Sequence, residues 1–311
     1  MHGEQEIPHR DLSDAEWALL EPHLPAPKRR GPPRIHSPRE ILNAVFYLLK
    51  SGCLWRMLPR QFPPWKTVFH YFRAWRIDGT WEGMNRAIRR GLREELGRDP
   101  EPSAGIVDSQ SVKTTGVGSE QRGFFVGGKK VRGRKRQLLV DTEGLVVEAR
   151  VHSAKVPDQD GIKRLLEPAR SRLGRLIHLW VDAGYRGRGK EWAEQALGLE
   201  VEVVNRSPKP TPEKVLRVWA REWFKEGREM DLSKVPIRPG FENLPRRGIA
   251  ERTFAWISHN RRIAKDYEGL CSTGEAFIHA SMTRLMVSGG WSARCGSEGK
   301  RGQQTPRKPL H

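Results

Sequence analysis

The stretch Leu176-Ile-His-Leu-Trp-Val-Asp-Ala-Gly-Tyr185 constrains this chain most: an apolar run that ends in a carboxylate and is broken at once by Ala183-Gly184. Runs of this length between turn residues read as buried strands rather than helices. Aspartate is a poor strand residue, so the final position places Asp182 at the sheet's edge. A helix is expected to follow from Gly187 to Leu197. Open α/β sheets bind ligands beyond the carboxyl ends of their strands, where Asp182 falls. An aspartate there can equally cap the next helix, and the run by itself leaves those readings level. A second run of the same kind, Gly105-Ile-Val-Asp-Ser109, tips the balance.

Charge narrows the partner. The 311 residues carry a formal net charge of +19 and a pI near 10.3, which points to an acidic polymer. No apolar run approaches the ~20 residues needed to span a bilayer, and Met1 to Arg10 lacks the apolar core of a signal peptide. Cys53, Cys271 and Cys295 are odd in number and scattered, suggesting neither a disulfide framework nor a zinc site. The expectation is a cytoplasmic, nucleoid-associated protein with no membrane contact.

Residues 1–96 read as a small all-α domain. Ser13-Asp-Ala-Glu16 is a capping box opening a helix, and Pro25 to Ile35 is a proline-rich basic linker. Ser37, Pro38 and Glu40 start a second helix that Gly52 ends. A third runs from Pro63-Pro64 to about Ile77, with Val68, Phe69, Phe72 and Trp75 inward and Lys66, His70, Arg73 and Arg76 outward. Two helices joined by a turn, the second basic on its free face, suggest a helix-turn-helix. A plain bundle with a solvated charged face would show the same pattern. Glu82 to Leu96 reads as a fourth helix and 97–103 as an interdomain linker.

Residues 104–287 read as a mixed sheet with flanking helices. The basic run containing Lys129, Lys130, Arg132, Arg134 and Lys135 is expected as a loop, either merely solvated or touching phosphates. Gln137–Val140 and Leu145–Val151 flank Asp141-Thr-Glu-Gly144 as a β-hairpin. A helix from Asp158 to about Leu173, the Asp182 strand, another helix and a strand over Leu199–Val204 follow. Residues 208–245 read as an insertion, and the basic tail 288–311 as disordered.

On a helical wheel through 249–267, Ile249, Trp256, Ile263, Ala264 and Tyr267 share one side. Glu251 lies opposite with Arg247, Ser258, Arg262 and Lys265. Taken alone, Glu251 is most simply half of an i,i+4 pair with Arg247 on a solvated face.

Together, these segments resemble the transposases of bacterial insertion sequences in the IS5 group. The matching residues are Ile106-Val-Asp-Ser-Gln-Ser-Val-Lys113, Lys135-Arg-Gln-Leu-Leu-Val-Asp-Thr142, Trp180-Val-Asp-Ala-Gly-Tyr-Arg-Gly187, and Glu251-Arg-Thr-Phe-Ala-Trp256 with Asn260-Arg-Arg262 and Lys265-Asp-Tyr-Glu268. Leu12-Ser-Asp-Ala-Glu-Trp17 and Gly52-Cys-Leu-Trp-Arg-Met-Leu-Pro59 match as well. The resemblance implies an RNase H-like catalytic domain with Asp108, Asp182 and Glu251 as a DDE site holding two Mg²⁺, with Mn²⁺ as substitute. It also implies double-stranded DNA as partner (terminal inverted repeats and target) and a homodimer on DNA. Two Mg²⁺ ions ~3.5–4 Å apart can clamp the attacking and leaving oxygens of a phosphodiester, and Mg²⁺ prefers carboxylates to Cys or His. The wider family often has Tyr and Lys where this chain has Leu244 and Ser258, while Arg247 is kept; Gly248 replaces a usual Trp. Arg261 or Arg262 is then the candidate for the missing cation. The implied function is metal-dependent strand cleavage and strand transfer. A nuclease that cannot join strands, or an inactive DNA-binding regulator, remains open at this point.

Overall fold

The computed structural model describes residues 11–26, 34–115, 120–121, 123–125, 131–204, 221 and 245–289. Nearly all of the expected insertion, most of the basic loop before Val131, the centre of the proline-rich linker and the tail beyond Gly289 lie outside them.

Local sequence sets the helix starts. Helix α1 (Asp14–Leu20) opens where Ser13 Oγ accepts from the Glu16 N–H and the Glu16 carboxylate accepts from the Ser13 N–H. Ser37 and Glu40 repeat this exchange at α2 (Pro38–Ser51), satisfying donors that a helix leaves orphaned. Gly52 closes α2 at φ 72°, with the Arg261 Cβ only 3.0 Å from where a side chain would begin. Helices α3 (Trp65–Ile77) and α4 (Thr80–Glu95) follow.

The second half runs β1 (Ala104–Lys113), β2 (Gly123–Phe125), β3 (Val131–Asp141), β4 (Val146–Ser153) and α5 (Asp158–Leu166). It continues through β5 (His178–Asp182), α6 (Arg188–Leu197), β6 (Glu200–Val204), α7 (Pro245–Ser258), α8 (Arg261–Ala264) and α9 (Cys271–Val287). Strand β1 is central. It pairs antiparallel with β3, which carries β2 and β4 on its far edge, and parallel with β5, which pairs parallel with β6. This is the mixed, RNase H-like sheet expected. Alternate residues feed opposite faces: Val107, Leu139 and Val181 pack under α5 and α6, while Ile106, Leu138 and Val140 pack under α7 and α9.

The expected boundary at 97–103 does not separate two cores. One apolar cluster runs from Leu12 to Met286, through α1–α4, the sheet and α9. Phe277 of α9 stacks on Phe72 of α3 with centroids 4.5 Å apart. Two arginines of α4 reinforce the junction. Arg89 pairs with Glu101 at 2.6 Å, and Arg93 Nη1 donates to Asp141 Oδ2 at 2.6 Å, where Asp141 is fully buried. The other Asp141 oxygen accepts from the backbone N–H groups of Glu143 and Leu145, both at 2.9 Å.

Several expectations are corrected. Strand β1 continues past Asp108 to Lys113, because β3 pairs along its whole length. The segment from Val131 to Arg136 is strand, not loop. The helix carrying Glu251 stops at Ser258: Asn260 Nδ2 donates to Ile257 O and Ser281 Oγ, and the chain turns into α8. Ala264 and Tyr267 are therefore exposed instead of continuing the apolar stripe. Phe69, expected inward, is 40% exposed at the edge of Trp55. Helix α9 was not anticipated, because His279, Ser281 and Thr283 interrupt its apolar pattern although all are buried.

Removing one partner of a buried pair strands the other charge, at a cost of about 3–5 kcal/mol. Arg93→Met is therefore expected to lower unfolding free energy by that order in urea titrations. Arg93→Met with Asp141→Asn should recover a large part of the loss. Equal stability of the single and double variants would contradict this role for the pair.

Candidate active site

The parallel register of β1 and β5 ends at Val107 opposite Val181. The next residues are Asp108 and Asp182, at equivalent positions on strands that lie about 4.8 Å apart, so the two carboxylates stand side by side. Each has an oxygen fixed by backbone: Asp108 Oδ1 accepts from Ser109 N at 2.7 Å, and Asp182 Oδ1 from Gly184 N at 2.8 Å. The pair sits in a cleft walled by Ile106, Trp180, Val204 and Ala250.

Ala250 belongs to α7, so the helix's buried face closes the cleft while Glu251, the next residue, is exposed. Helix α7 is docked on the β3–β4 turn. Thr253 Oγ1 donates to Gly144 O at 2.7 Å, and Arg252 Nη2 donates to Glu143 O at 3.3 Å. Glu251 is carried by a separate element from the two aspartates, one residue on from the Ala250 that walls their cleft. The donor set, two aspartates at a strand edge and a glutamate on the flanking helix, consists of hard oxygens and fits Mg²⁺ or Mn²⁺.

Tyr185 lies fully buried beneath the cleft. Burial, followed by the negative charges of Asp158, Asp108 and Asp182, pushes its hydroxyl well above the usual tyrosine range. It stays a neutral hydrogen-bonding group, next to the Gln137 amide at 3.1 Å.

The compact group of metal-ligating side chains among the described residues lies elsewhere. Glu82, Glu148 and His279 come within 4.8 Å of one another at the junction of α4, β4 and α9. Cations already serve its two carboxylates: Glu148 pairs with Arg150 at 2.9 Å and Arg172 at 2.5 Å, and Arg150 approaches Glu82 at 3.7 Å.

The basic residues divide into two sets. Lys66, His70 and Arg73 are exposed along α3, as are Arg132 and Arg261. Arg76 is half-buried and donates to Ser272 Oγ. Arg134, Lys135 and Arg262 are interior, which corrects their expected DNA-facing role. Arg134 donates to Asp266 and to the carbonyls of Glu120, Glu268 and Gly269. Lys135 donates to Asp158 and Val156 O, and Arg262 to Glu268 and Cys53 O. Lys129 and Lys130 lie outside the described residues, as does the side chain of Arg247.

Residues 99–286 match the family model of the transposase DDE domain, and residues 12–85 match one described as a transposase of the IS4/5 family. The chain belongs to the IS4/IS5-type DDE transposases. It is also 32% identical over 115 residues to the uncharacterized 16.2 kDa protein of insertion element IS402 from Burkholderia cepacia, covering 35% of this chain and 77% of that one. Among solved structures it is similar to the piggyBac transposase synaptic complex with hairpin DNA (TM-score 0.37, 10% identity, 92% of this chain and 72% of that one). It is likewise similar to the Mos1 mariner paired-end complex with Mn (TM-score 0.23, 13% identity, 89% and 82%). Family membership rests on the family models and the insertion-element relative. Divalent metal use comes with that membership. Among the described residues, no helix is long and apolar enough to cross a membrane.

The residues that sequence reasoning passed over are those behind the aspartates: Ser109, Lys135, Asp158 and Tyr185. In the sequence Lys135 reads as one charge of a basic run and as the start of a family-like segment, with nothing to tie it to Asp158.

Burial depresses the His279 imidazole below its ordinary 6.5, so it is neutral in the folded protein. The unfolded chain then binds more protons as pH falls below about 6.5, and stability is lost in that direction. His279→Leu is expected to lose less stability than the parent between pH 7 and about pH 5.5. Parallel pH dependences of the two urea midpoints would sink the assignment.

Proposed function

We propose that this DDE transposase binds the terminal inverted repeats of its own insertion sequence, nicks them and joins the freed strand to target DNA, acting as a homodimer. The observation that supports the reading is that Asp108 and Asp182 follow the last paired residues of β1 and β5 and line one cleft, walled on the α7 side by Ala250, the neighbour of Glu251.

Asp108 and Asp182 would hold divalent cations between them, and Glu251 would complete the set from the helix side. A divalent cation held there, Mg²⁺ by this reading, would supply an activated nucleophile and offset charge on the attacking and leaving oxygens of the phosphodiester. The chain's own contribution is placement. The backbone N–H groups of Ser109 and Gly184 fix one oxygen of each aspartate, so little reorganisation is needed when a phosphate enters. Exposed Lys66, His70 and Arg73 along α3 suit the phosphate backbone of a duplex, and Arg132 and Arg261 add cations outside that helix. The shared core of α1–α4 and the sheet means that DNA held on α3 is held rigidly relative to the carboxylates.

Glu251→Gln keeps the side chain's shape and removes its charge. It should fold, bind terminal-repeat DNA like the parent, and nick a labelled duplex in Mg²⁺ at least about 10²-fold more slowly. Glu194→Gln, a surface change on α6, is the control and should nick normally. Parental nicking by Glu251→Gln would remove Glu251 from the site. Loss of binding as well as cleavage would favour a structural role. Nicks without joined products would make the protein a nuclease.

Lys66→Ala with Arg73→Ala in the full chain should weaken binding to any duplex. It should also reduce the slope of log affinity against log salt by about 1 per lost phosphate contact. An unchanged slope would move the duplex off α3.

A further inference from the structure

On the sheet face opposite α7, the two aspartates are backed by a polar cluster that the catalytic reading leaves unused. Asp158 is the first residue of α5. Its Oδ1 accepts from Ser109 Oγ at 2.8 Å and from Lys135 Nζ at 2.7 Å. Ser109 directly follows Asp108, and its own N–H is the donor that fixes Asp108 Oδ1. On the β5 side, a methyl placed on Gly184 would sit 3.0 Å from Asp182 Oδ1 and 3.1 Å from Asp158 Oδ2. Asp158 therefore reaches both strands, β1 through Ser109 and the end of β5 across a single glycine.

Lys135 anchors the arrangement. Its side chain is 2% exposed and also donates to Val156 O at 2.9 Å, in the turn that leads into α5. A buried ion pair seldom improves on apolar packing of the same volume, so stability alone does not account for this one. Its position does. Three carboxylates converge here and repel one another, and an ammonium on the opposite face tempers that repulsion without occupying the cleft.

We propose that Asp158 is a positioning residue: anchored by Lys135, it holds Ser109 and the Asp182–Gly184 turn so that Asp108 and Asp182 are set to take divalent cations. The inference rests on the assignment of those two aspartates as metal ligands. Groups of this kind, once removed, typically cost 10- to 100-fold in metal affinity while the ligands themselves remain.

The test uses the full chain with Mn²⁺ alone as probe. Asp158→Asn retains the shape and an oxygen for Ser109 but loses the charge that pairs with Lys135. Four quantities are measured: thermal melting, terminal-repeat binding by gel shift, Mn²⁺ binding by electron paramagnetic resonance, and nicking across a Mn²⁺ series. Asp158→Asn should bind DNA like the parent, need about 10- to 100-fold more Mn²⁺ for half-saturation, and regain nicking at high Mn²⁺. Ser109→Ala should shift the Mn²⁺ curve the same way by less, and it decides the matter if Asp158→Asn does not fold. Superimposable Mn²⁺ curves would overturn the proposal, and so would a lowered melting temperature with unchanged metal affinity in the folded protein. Asp108→Asn distinguishes the two levels. If it binds Mn²⁺ and nicks like the parent, the DDE assignment itself fails. If it is inert while Asp158→Asn is unaffected, only the present inference falls.

Discussion

The parallel pairing of β1 and β5 is the constraint on which the site depends. Its last matched residues are Val107 and Val181, both buried beneath α5 and α6, so a slip of one residue would turn each strand's apolar set to the wrong face. The apolar core thus fixes the register, and the register fixes the carboxylates. Asp108 and Asp182 occupy the first positions beyond the paired stretch. No dedicated interaction between them is required, because the energy that aligns them is that of burying Val107, Val181, Leu139 and Leu179.

The cationic excess has two physical destinies. Part of it is structural. Arg93, Arg134, Lys135 and Arg262 are buried against Asp141, Asp266, Asp158 and Glu268 respectively. Among the described residues Arg136 donates to the carbonyls of Ile263 and Lys265, and burial pulls its guanidinium down to about 10, still charged at neutral pH. Of these, Arg134, Lys135 and Arg136 tie β3 to the turn before α5, to α8 and to the segment after it. Among the described residues, Lys66 and Arg73 along α3, together with Arg132 and Arg261, are exposed to a polyanion. A formal charge of +19 points to the class of partner, but only burial separates the residues that meet it from those that hold the fold.

Much of this was legible in the sequence, for reasons that can be named. Capping boxes at Ser13 and Ser37, the glycine after α2 and the apolar runs ending in Asp108 and Asp182 are local signals, and local structure follows them. The RNase H-like sheet, by contrast, came through the family resemblance. What failed was long-range. The basic run to Arg136 looks like a solvated loop until β1 and β4 pair with it on either side. Helix α9 hides His279, Ser281 and Thr283 inside, because a helix surrounded by other elements loses the polar face that periodicity detects. The apolar stripe through Tyr267 assumed one helix where Asn260 makes a break. Asp158 carries no signal of its own, and its importance appears only when Ser109, Lys135 and Gly184 converge on it from three strands and turns.

Glu251 depends on a different device from the two aspartates, and a turn glycine controls it. Gly144 adopts φ 85° between β3 and β4, a conformation that L side chains avoid. A Cβ there would meet Thr253 Oγ1 at 2.9 Å and the Trp256 ring at 3.2 Å. The same turn supplies the carbonyl that Thr253 Oγ1 hydrogen-bonds, and Asp141, which begins it, is the carboxylate paired with Arg93. One chain of contacts therefore runs from α4, through the buried ion pair and the glycine turn, to α7 and the glutamate it carries. Helix α3, which bears the exposed basic residues and packs on α4 through Phe72 and Trp81, is thereby coupled to the proposed third member of the site through packed and hydrogen-bonded groups. Any displacement of α4 relative to the sheet must break the Arg93–Asp141 pair or carry Glu251 with it.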